Sequence, residues 1–585
     1  MKKLHIIFGT VLAASVLTGC NDFLDRAPYD EISSSTVFAT ADLAESVVTG
    51  CYSNLTADYV SASYCNWDGL SSVLEPATLQ LNTTYMYLRG LAQSNTSLFS
   101  NRWKRLYEGV NRANDVINNI SATPGMDDAL KARRIAECKF IRAYEYYLLN
   151  CAFRGVPIYL ENLSDAEYTR PRSTVDEVWE QCVADLTDAI NTPSLPDRIA
   201  GSSSDYGRIA KGACYYLRAK VRMWQQKWAE AEADLLKVGE CGYSLFKGGY
   251  AQLFTEANER CDEMIFSIPM VDQAGQGNVF SRTYGNRCTA GYGDNALYMA
   301  PDFVDSYQWA DGRPFDWNDV IEGYGDMSPR ARSVFFLRDN MTAAERATMS
   351  SYGADMNQYL ESGNESRIKK AYEGRDPRLA ATVITPYSVY VGGWSGAAAN
   401  YSPRFPFRNE TSENDIKTTQ TQNFQYNIRK FVTVGTQYKN VLQNPVDVPV
   451  FRYAGALLAL AECVNEQGRT TEAVAFVNQV RERAGVAPLN QPGNSAVAVS
   501  GQDDLRKRIR DEHLWELACE EVVLWDELRW GTWKDRKFGN GNGCKEIWGE
   551  IILAYGWGGN GYDVWPIPRD EVERNSNLTQ NPGWY

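Results

Sequence analysis

Two pairs of helical segments with the same internal spacing constrain this chain more than any other feature. Arg208 to Gln226 is followed by Trp228 to Val238, and Arg452 to Asn465 by Thr470 to Ala484. Ala219 and Ala231 lie twelve residues apart in the first pair, as do Ala461 and Ala473 in the second. Small residues at those positions let two antiparallel helices approach closely, at a spacing similar to that within a tetratricopeptide repeat. A single pair arises by chance; its recurrence predicts a helical-repeat scaffold. Other segments extend it: Ala41 to Asn54, capped by Thr40; Ser100 to Ile120, with Trp103, Leu106, Val110, Ala113 and Ile117 on one face; Lys131 to Asn150; and Thr174 to Ile190. The expected fold class is mostly α, a degenerate tetratricopeptide-repeat helical scaffold with a loop-rich elaborated lobe and minor β structure.

From about Gly242 to Pro449 the sequence becomes rich in Gly, Tyr, Trp, Asn and Pro, without sustained helical periods. Short β-like runs occur at Met264–Ile268 and Arg429–Val432. A last long helix is expected from Asp504 to about Trp530, with Leu505, Ile509, Leu517, Leu524 and Leu528 as its core face and its charges as a solvated face. The expected divisions are a signal peptide over 1–19, a tether over 20–40, a helical-repeat scaffold over 41–245, a loop-rich ligand-binding lobe over 246–449, and a last repeat pair with a C-terminal segment over 450–585.

The N-terminus reads as a lipoprotein signal. Lys2 and Lys3 precede an apolar run from Leu4 to about Val16, and Leu17-Thr18-Gly19 leads into Cys20. The run is too short to span a bilayer and has the parts a signal peptidase requires. The mature chain then begins at Cys20, with membrane attachment through its lipid.

Composition excludes several kinds of chemistry. The formal charge is −14, and loss of Lys2 and Lys3 makes the mature chain more acidic still, which argues against nucleic acid and points to a neutral partner. The 13 cysteines are scattered singly, so neither a zinc site nor a disulfide framework is indicated, and Cys138, Cys182, Cys214, Cys463 and Cys519 read as small apolar side chains within helices. The two histidines, His5 and His513, leave little room for a triad or a two-histidine metal site, and His513 reads as a helix-surface or interhelical residue. No phosphate loop is present, and no cofactor or metal is expected. Among 73 acidic residues a glycosidase pair has no sequence feature to select it.

Cys20-Asn21-Asp22-Phe23-Leu24-Asp25, Arg375-Asp376-Pro377-Arg378-Leu379, Phe451-Arg452-Tyr453, Ala461-Glu462 and Val480-Arg481-Glu482-Arg483-Ala484-Gly485 follow one another along the chain. After them come Asp526, Arg529 and Trp530, then Pro566-Ile567-Pro568 and Gln580-Asn581-Pro582-Gly583. In these elements and their order the chain resembles the SusD/RagB family, surface lipoproteins that partner TonB-dependent transporters in Bacteroidetes. Glu520-Glu521-Val522-Val523 departs from the family's usual E-G-x-R. The Arg375 to Leu379 element reads as structural, with Pro377 setting a turn at Asp376 and Arg375 and Arg378 tying loops to carboxylates.

The resemblance implies a non-catalytic protein that captures an oligosaccharide and delivers it to a SusC-like TonB-dependent outer-membrane transporter. It also implies lipid anchoring at Cys20 and display on the cell surface, with Asp22 and Asp25 as the export signal. Peptide capture, as in the RagB branch, is the alternative, and a glycosidase comes third. The family's site implies segments 59–100 and 280–325. Sugars offer flat C–H patches beside hydroxyls, so aromatic and polar loop residues are the candidates there: Trp67, Asp68, Tyr85, Tyr87 and Asn95 in the first, and Tyr284, Arg287, Tyr292, Trp309 and Trp317 in the second. Trp394 and Tyr401 stand behind them. Each aromatic has a second reading, as a pin between loop and core.

Overall fold

The computed structural model describes residues 34–60, 67–77, 82–164, 167–539 and 542–584. Cys20, the signal segment, Asp22, Asp25 and most of the tether lie outside the described residues.

Helices α1 (Ala41–Val60), α2 (Ser97–Asn119), α3 (Asp128–Phe153), α4 (Val175–Asn191), α5 (Lys211–Trp224) and α6 (Trp228–Glu240) each pack on the next. Side-chain caps start three of them. Thr40 accepts from the Leu43 amide, Asp127 from Ala129 and Leu130, and Thr174 forms a reciprocal box with Glu177. The second repeat pair, α7 (Tyr453–Glu466) and α8 (Thr470–Ala484), lies more than two hundred residues downstream, yet α7 packs directly on α6. Ala219, Ala231, Ala461 and Ala473 are all fully buried, as close helix approach requires. The two pairs thus form one continuous stack, closed by α9 (Gln502–Leu517) against α7.

The expected single helix from Asp504 to Trp530 is two, α9 and α10 (Val523–Trp530). Ala518 to Val522 breaks it, because Cys519 and Glu521 take left-handed backbone angles of +69° and +65°. Its charges divide: Asp503 and Lys507 are exposed, as a solvated face requires, but two carboxylates are not part of that face. Glu512 and Glu516 are fully buried beneath Arg378, Arg452, Arg481 and Arg483. His513 is buried between the two helices, 3.0 Å from Asp526.

Among the described residues the strands form five antiparallel pairs: β1 (Leu74–Pro76) with β3 (Leu297–Met299), β2 (Met264–Ile268) with β8 (Val448–Arg452), β4 (Val383–Ile384) with β7 (Asn427–Ile428), β5 (Tyr390–Gly392) with β6 (Ala399–Tyr401), and β9 (Gly543–Lys545) with β10 (Ile551–Ala554). The run expected over Arg429–Val432 is not a strand. Extension stops at Ile428, and Phe431 turns to a φ of +62°. The β2–β8 pair, with Met264 opposite Arg452, leads straight into α7 and joins the loop-rich region to the helical stack.

Candidate functional site

Three loops converge on Cys288. Its carbonyl accepts from the amides of Gly393 (2.9 Å) and Trp394 (3.2 Å), and its sulfur accepts from the Lys417 amide (3.2 Å). One residue earlier, the Arg287 amide donates to the Lys417 carbonyl at 2.7 Å. Burial pushes the Cys288 thiol up to about 11, so it stays neutral and serves as a fixed acceptor.

This junction sets two aromatic rings side by side. Tyr292 is 47% exposed and sits at a φ of +67°, a strained angle for a bulky residue. Gly293 allows the close return behind it, since a Cβ there would lie 2.0 Å from the Gly285 carbonyl. Trp394 occupies the tip of the β5–β6 hairpin, its ring 5.8 Å from that of Tyr292, and the Lys417 ammonium lies 4.5 Å from the indole centroid. Arg287 is half-exposed at the same edge, 3.8 Å from Asp294, which is bound more closely by Arg282 at 2.7 Å. Two ring faces and a rim of hydrogen-bond donors therefore meet on one half-exposed surface, an arrangement suited to a ligand with flat apolar faces and polar edges.

Of the residues expected at the site, Arg287 and Tyr292 belong to this cluster. The others are used differently. Trp67, Asp68 and Tyr284 do meet, but inside the fold, around Glu521. The Trp67 amide and the Tyr284 hydroxyl (3.0 Å) donate to the Glu521 carboxylate, while Asp68 accepts from the amides of Glu521 (3.0 Å) and Val523 (3.1 Å). Burial raises both groups above their ordinary range, and at Asp68 the Glu521 carboxylate adds to it by repulsion. Trp67 also carries the Arg102 guanidinium 3.9 Å from its ring and packs on Trp525.

Tyr87 is buried and exchanges hydroxyl-to-carbonyl hydrogen bonds with Tyr562, at 2.6 and 2.8 Å. Trp317 stacks on Tyr324 and donates to Asp305 at 2.8 Å. Trp309 is half-buried beside Phe315, with Arg313 and Arg375 on it. Tyr85 is half-buried under Arg89, and Asn95 is exposed. Tyr401 is buried within β6. Lys417 is absent from the residues expected from sequence, and Trp394 stood behind the others there; the local signal at Trp394 is a tryptophan among glycines, Gly392-Gly393-Trp394-Ser395-Gly396.

A separate cavity of about 230 Å³ is lined by Ser72, Glu75, Asp302, Phe303, Arg536 and Lys537 among others. Its charged groups already serve the fold: Lys537 donates to the Leu74 carbonyl (2.5 Å), Arg536 pairs with Asp511 (2.8 Å) and Asp302 with Lys545 (2.6 Å).

A family model described as the SusD family matches residues 262–584, more than half of the chain. The chain belongs to the SusD family. A second model, described as "Starch-binding associating with outer membrane", matches residues 22–223 of this SusD-family chain. SusD-like protein P25 of Formosa agariphila is 24% identical over 548 residues, covering 92% of this chain and 91% of that one. Starch-binding protein SusD of Bacteroides thetaiotaomicron is 23% identical, covering 80% and 75%. A SusD-like carbohydrate-binding protein of Bacteroides fragilis superposes with a TM-score of 0.72 at 21% identity, covering 93% of this chain and all of that one.

Within the described residues, the Arg375–Leu379 element that helps carry the SusD resemblance is structural. Pro377 opens a short helix whose N-cap, Asp376, accepts from the Arg378 amide at 3.0 Å. Arg378 joins Asp376 (2.7 Å), Glu512 (2.7 Å) and Glu516 (3.2 Å). Arg375, expected to hold carboxylates, instead donates to the carbonyls of Val304, Tyr307 and Ala371 and lies 3.5 Å from the Phe315 ring centroid. The departure at Glu520-Glu521 forms the left-handed turn between α9 and α10. There Glu520 pairs with Lys430 (2.5 Å) and Arg452 (2.6 Å), and Glu521 receives the Trp67 loop.

Proposed function

We propose that this SusD-family protein is a non-catalytic, lipid-anchored glycan-binding protein of the outer-membrane surface. It captures oligosaccharides on the Tyr292–Trp394 platform and passes them to a SusC-like TonB-dependent transporter. The single observation that carries the reading is that ring pair, half-exposed, with Lys417 and Arg287 at its edge. Sugar rings stack on such faces while their hydroxyls bond to the rim. The starch-binding and carbohydrate-binding names of two relatives support the same class of ligand. The Cys20 pattern supports anchoring, and the lipid would hold the protein beside a transporter.

Calorimetry of the purified mature chain against a panel of polysaccharides tests the capture reading. A heat of binding saturable by at least one glycan, with no reducing ends released, is the expected result. Release of reducing ends would overturn the non-catalytic reading, and co-purified peptides held at Tyr292 and Trp394 in place of glycan would favour peptide capture. Co-purification of a TonB-dependent transporter with the tagged, membrane-extracted protein tests the partner.

A further inference from the structure

The whole-chain charge of −14 points to a neutral ligand, but the charges around the ring pair have the opposite sign. Arg282 and Arg287 share one acid, Asp294, while the Lys417 ammonium lies over the Trp394 ring. Arg282 takes that carboxylate at 2.7 Å, which leaves Arg287 a long contact of 3.8 Å. The other nearby acid, Asp415, is turned inward, where it is buried against Arg338 (2.5 Å) and Arg404 (3.3 Å) and accepts from the Arg408 amide at 2.8 Å. Among the described residues no carboxylate lies within ion-pair reach of Lys417, whose ammonium is instead placed over Trp394.

Lysine and arginine side chains only donate; neither accepts. The edge of the platform is therefore rich in cationic donors. A neutral sugar, whose hydroxyls both donate and accept, uses such an edge only in part. A ring substituent that only accepts and carries negative charge uses it fully, through charge-assisted hydrogen bonds to Lys417 and Arg287.

We infer that the saccharide taken by this site is anionic, with a uronic-acid carboxylate or a sulfate placed against Lys417 and Arg287 while its ring stacks on Trp394 and Tyr292. The inference rests on the glycan-binding reading and names the substrate class of that same site. Long-range repulsion from the acidic chain is screened at physiological salt, where the Debye length is about 8 Å, so the local cations govern the encounter.

The test uses matched pairs: an oligogalacturonate and its carboxyl-reduced neutral form, and a sulfated galactan and its desulfated form. Calorimetry measures each with wild type, Lys417→Gln and Arg287→Gln. The anionic member of at least one pair should bind about tenfold or more tightly than its neutral partner. That preference should shrink between about 0.05 and about 0.5 M NaCl and drop by roughly fivefold in either variant. A preference confined to one pair assigns the carboxylate or the sulfate.

Equal affinity for charged and neutral members, or a preference that survives both substitutions, overturns the anionic assignment and leaves the capture function standing. Absence of binding to either pair and to neutral starch and laminarin removes the capture function itself. The salt dependence is read on the wild type, so the outcome does not depend on the folding of a variant.

Discussion

Trp394→Ala should weaken binding of the cognate glycan by about tenfold, and Tyr292→Ala by a similar factor, because each removes one face of the platform. Calorimetry reads both, and an unchanged melting temperature separates lost stacking from lost fold. A second residue-scale expectation concerns Glu75. Burial raises its carboxyl from 4.5 to about 8, while the Lys545 amide bonds to it at 3.0 Å. The folded chain thus holds a proton there that the unfolded chain releases, so stability is greatest below the ordinary carboxylate range and falls as pH rises towards 8. In Glu75→Gln that slope should flatten, its melting temperature gaining roughly 1–3 °C on wild type between pH 5.5 and pH 8.5 in calorimetric scans. At this scale the sequence marks aromatic and polar loop residues without telling their surroundings apart. It could not separate Tyr292, held at the surface by a strained backbone, from Tyr284, whose hydroxyl is consumed by a carboxylate 237 residues away.

Most helices were legible because each carries its own period, and α1, α3 and α4 carry side-chain caps as well. The exceptions are informative. The α9–α10 break has no glycine or proline; Cys519 and Glu521 take left-handed angles because Asp68 accepts the amides of Glu521 and Val523 from a distant loop. Conversely Gly485, at the end of α8, takes the left-handed C-cap angle of +78° that its place after Ala484 suggests. Gly485→Ala should cost about 1 kcal/mol in chemical denaturation, mostly as backbone strain, since the added Cβ would meet Pro377 only at an ordinary 3.6 Å.

Across the whole molecule, Arg452 links the loop-rich region to the helical stack. From the end of β8 it reaches Glu263 (2.5 Å), Glu516 (3.0 Å) and Glu520 (2.6 Å), all buried. Burial by itself would raise Glu516, yet Arg483, Arg452 and Arg378 bring it down to about 2. Arg452→Ala would leave three buried carboxylates short of a partner, and a loss of about 3–5 kcal/mol is expected in denaturant unfolding. Arg452→Met, which removes the charge but keeps much of the volume, should not rescue it, because the carboxylates remain.

The sequence alone determined most of the helical segments, the small residues that let them pair and the family, since these are written in local spacing and short ordered motifs. Only the tertiary structure decided that α7 docks on α6, that Glu512 and Glu516 of α9 are interior, and that Lys417 and Trp394 join Arg287 and Tyr292. The reason is physical: burial and cross-chain hydrogen bonds join residues far apart in sequence, and an aromatic ring in a loop has the same local signature whether its face meets the core or a ligand.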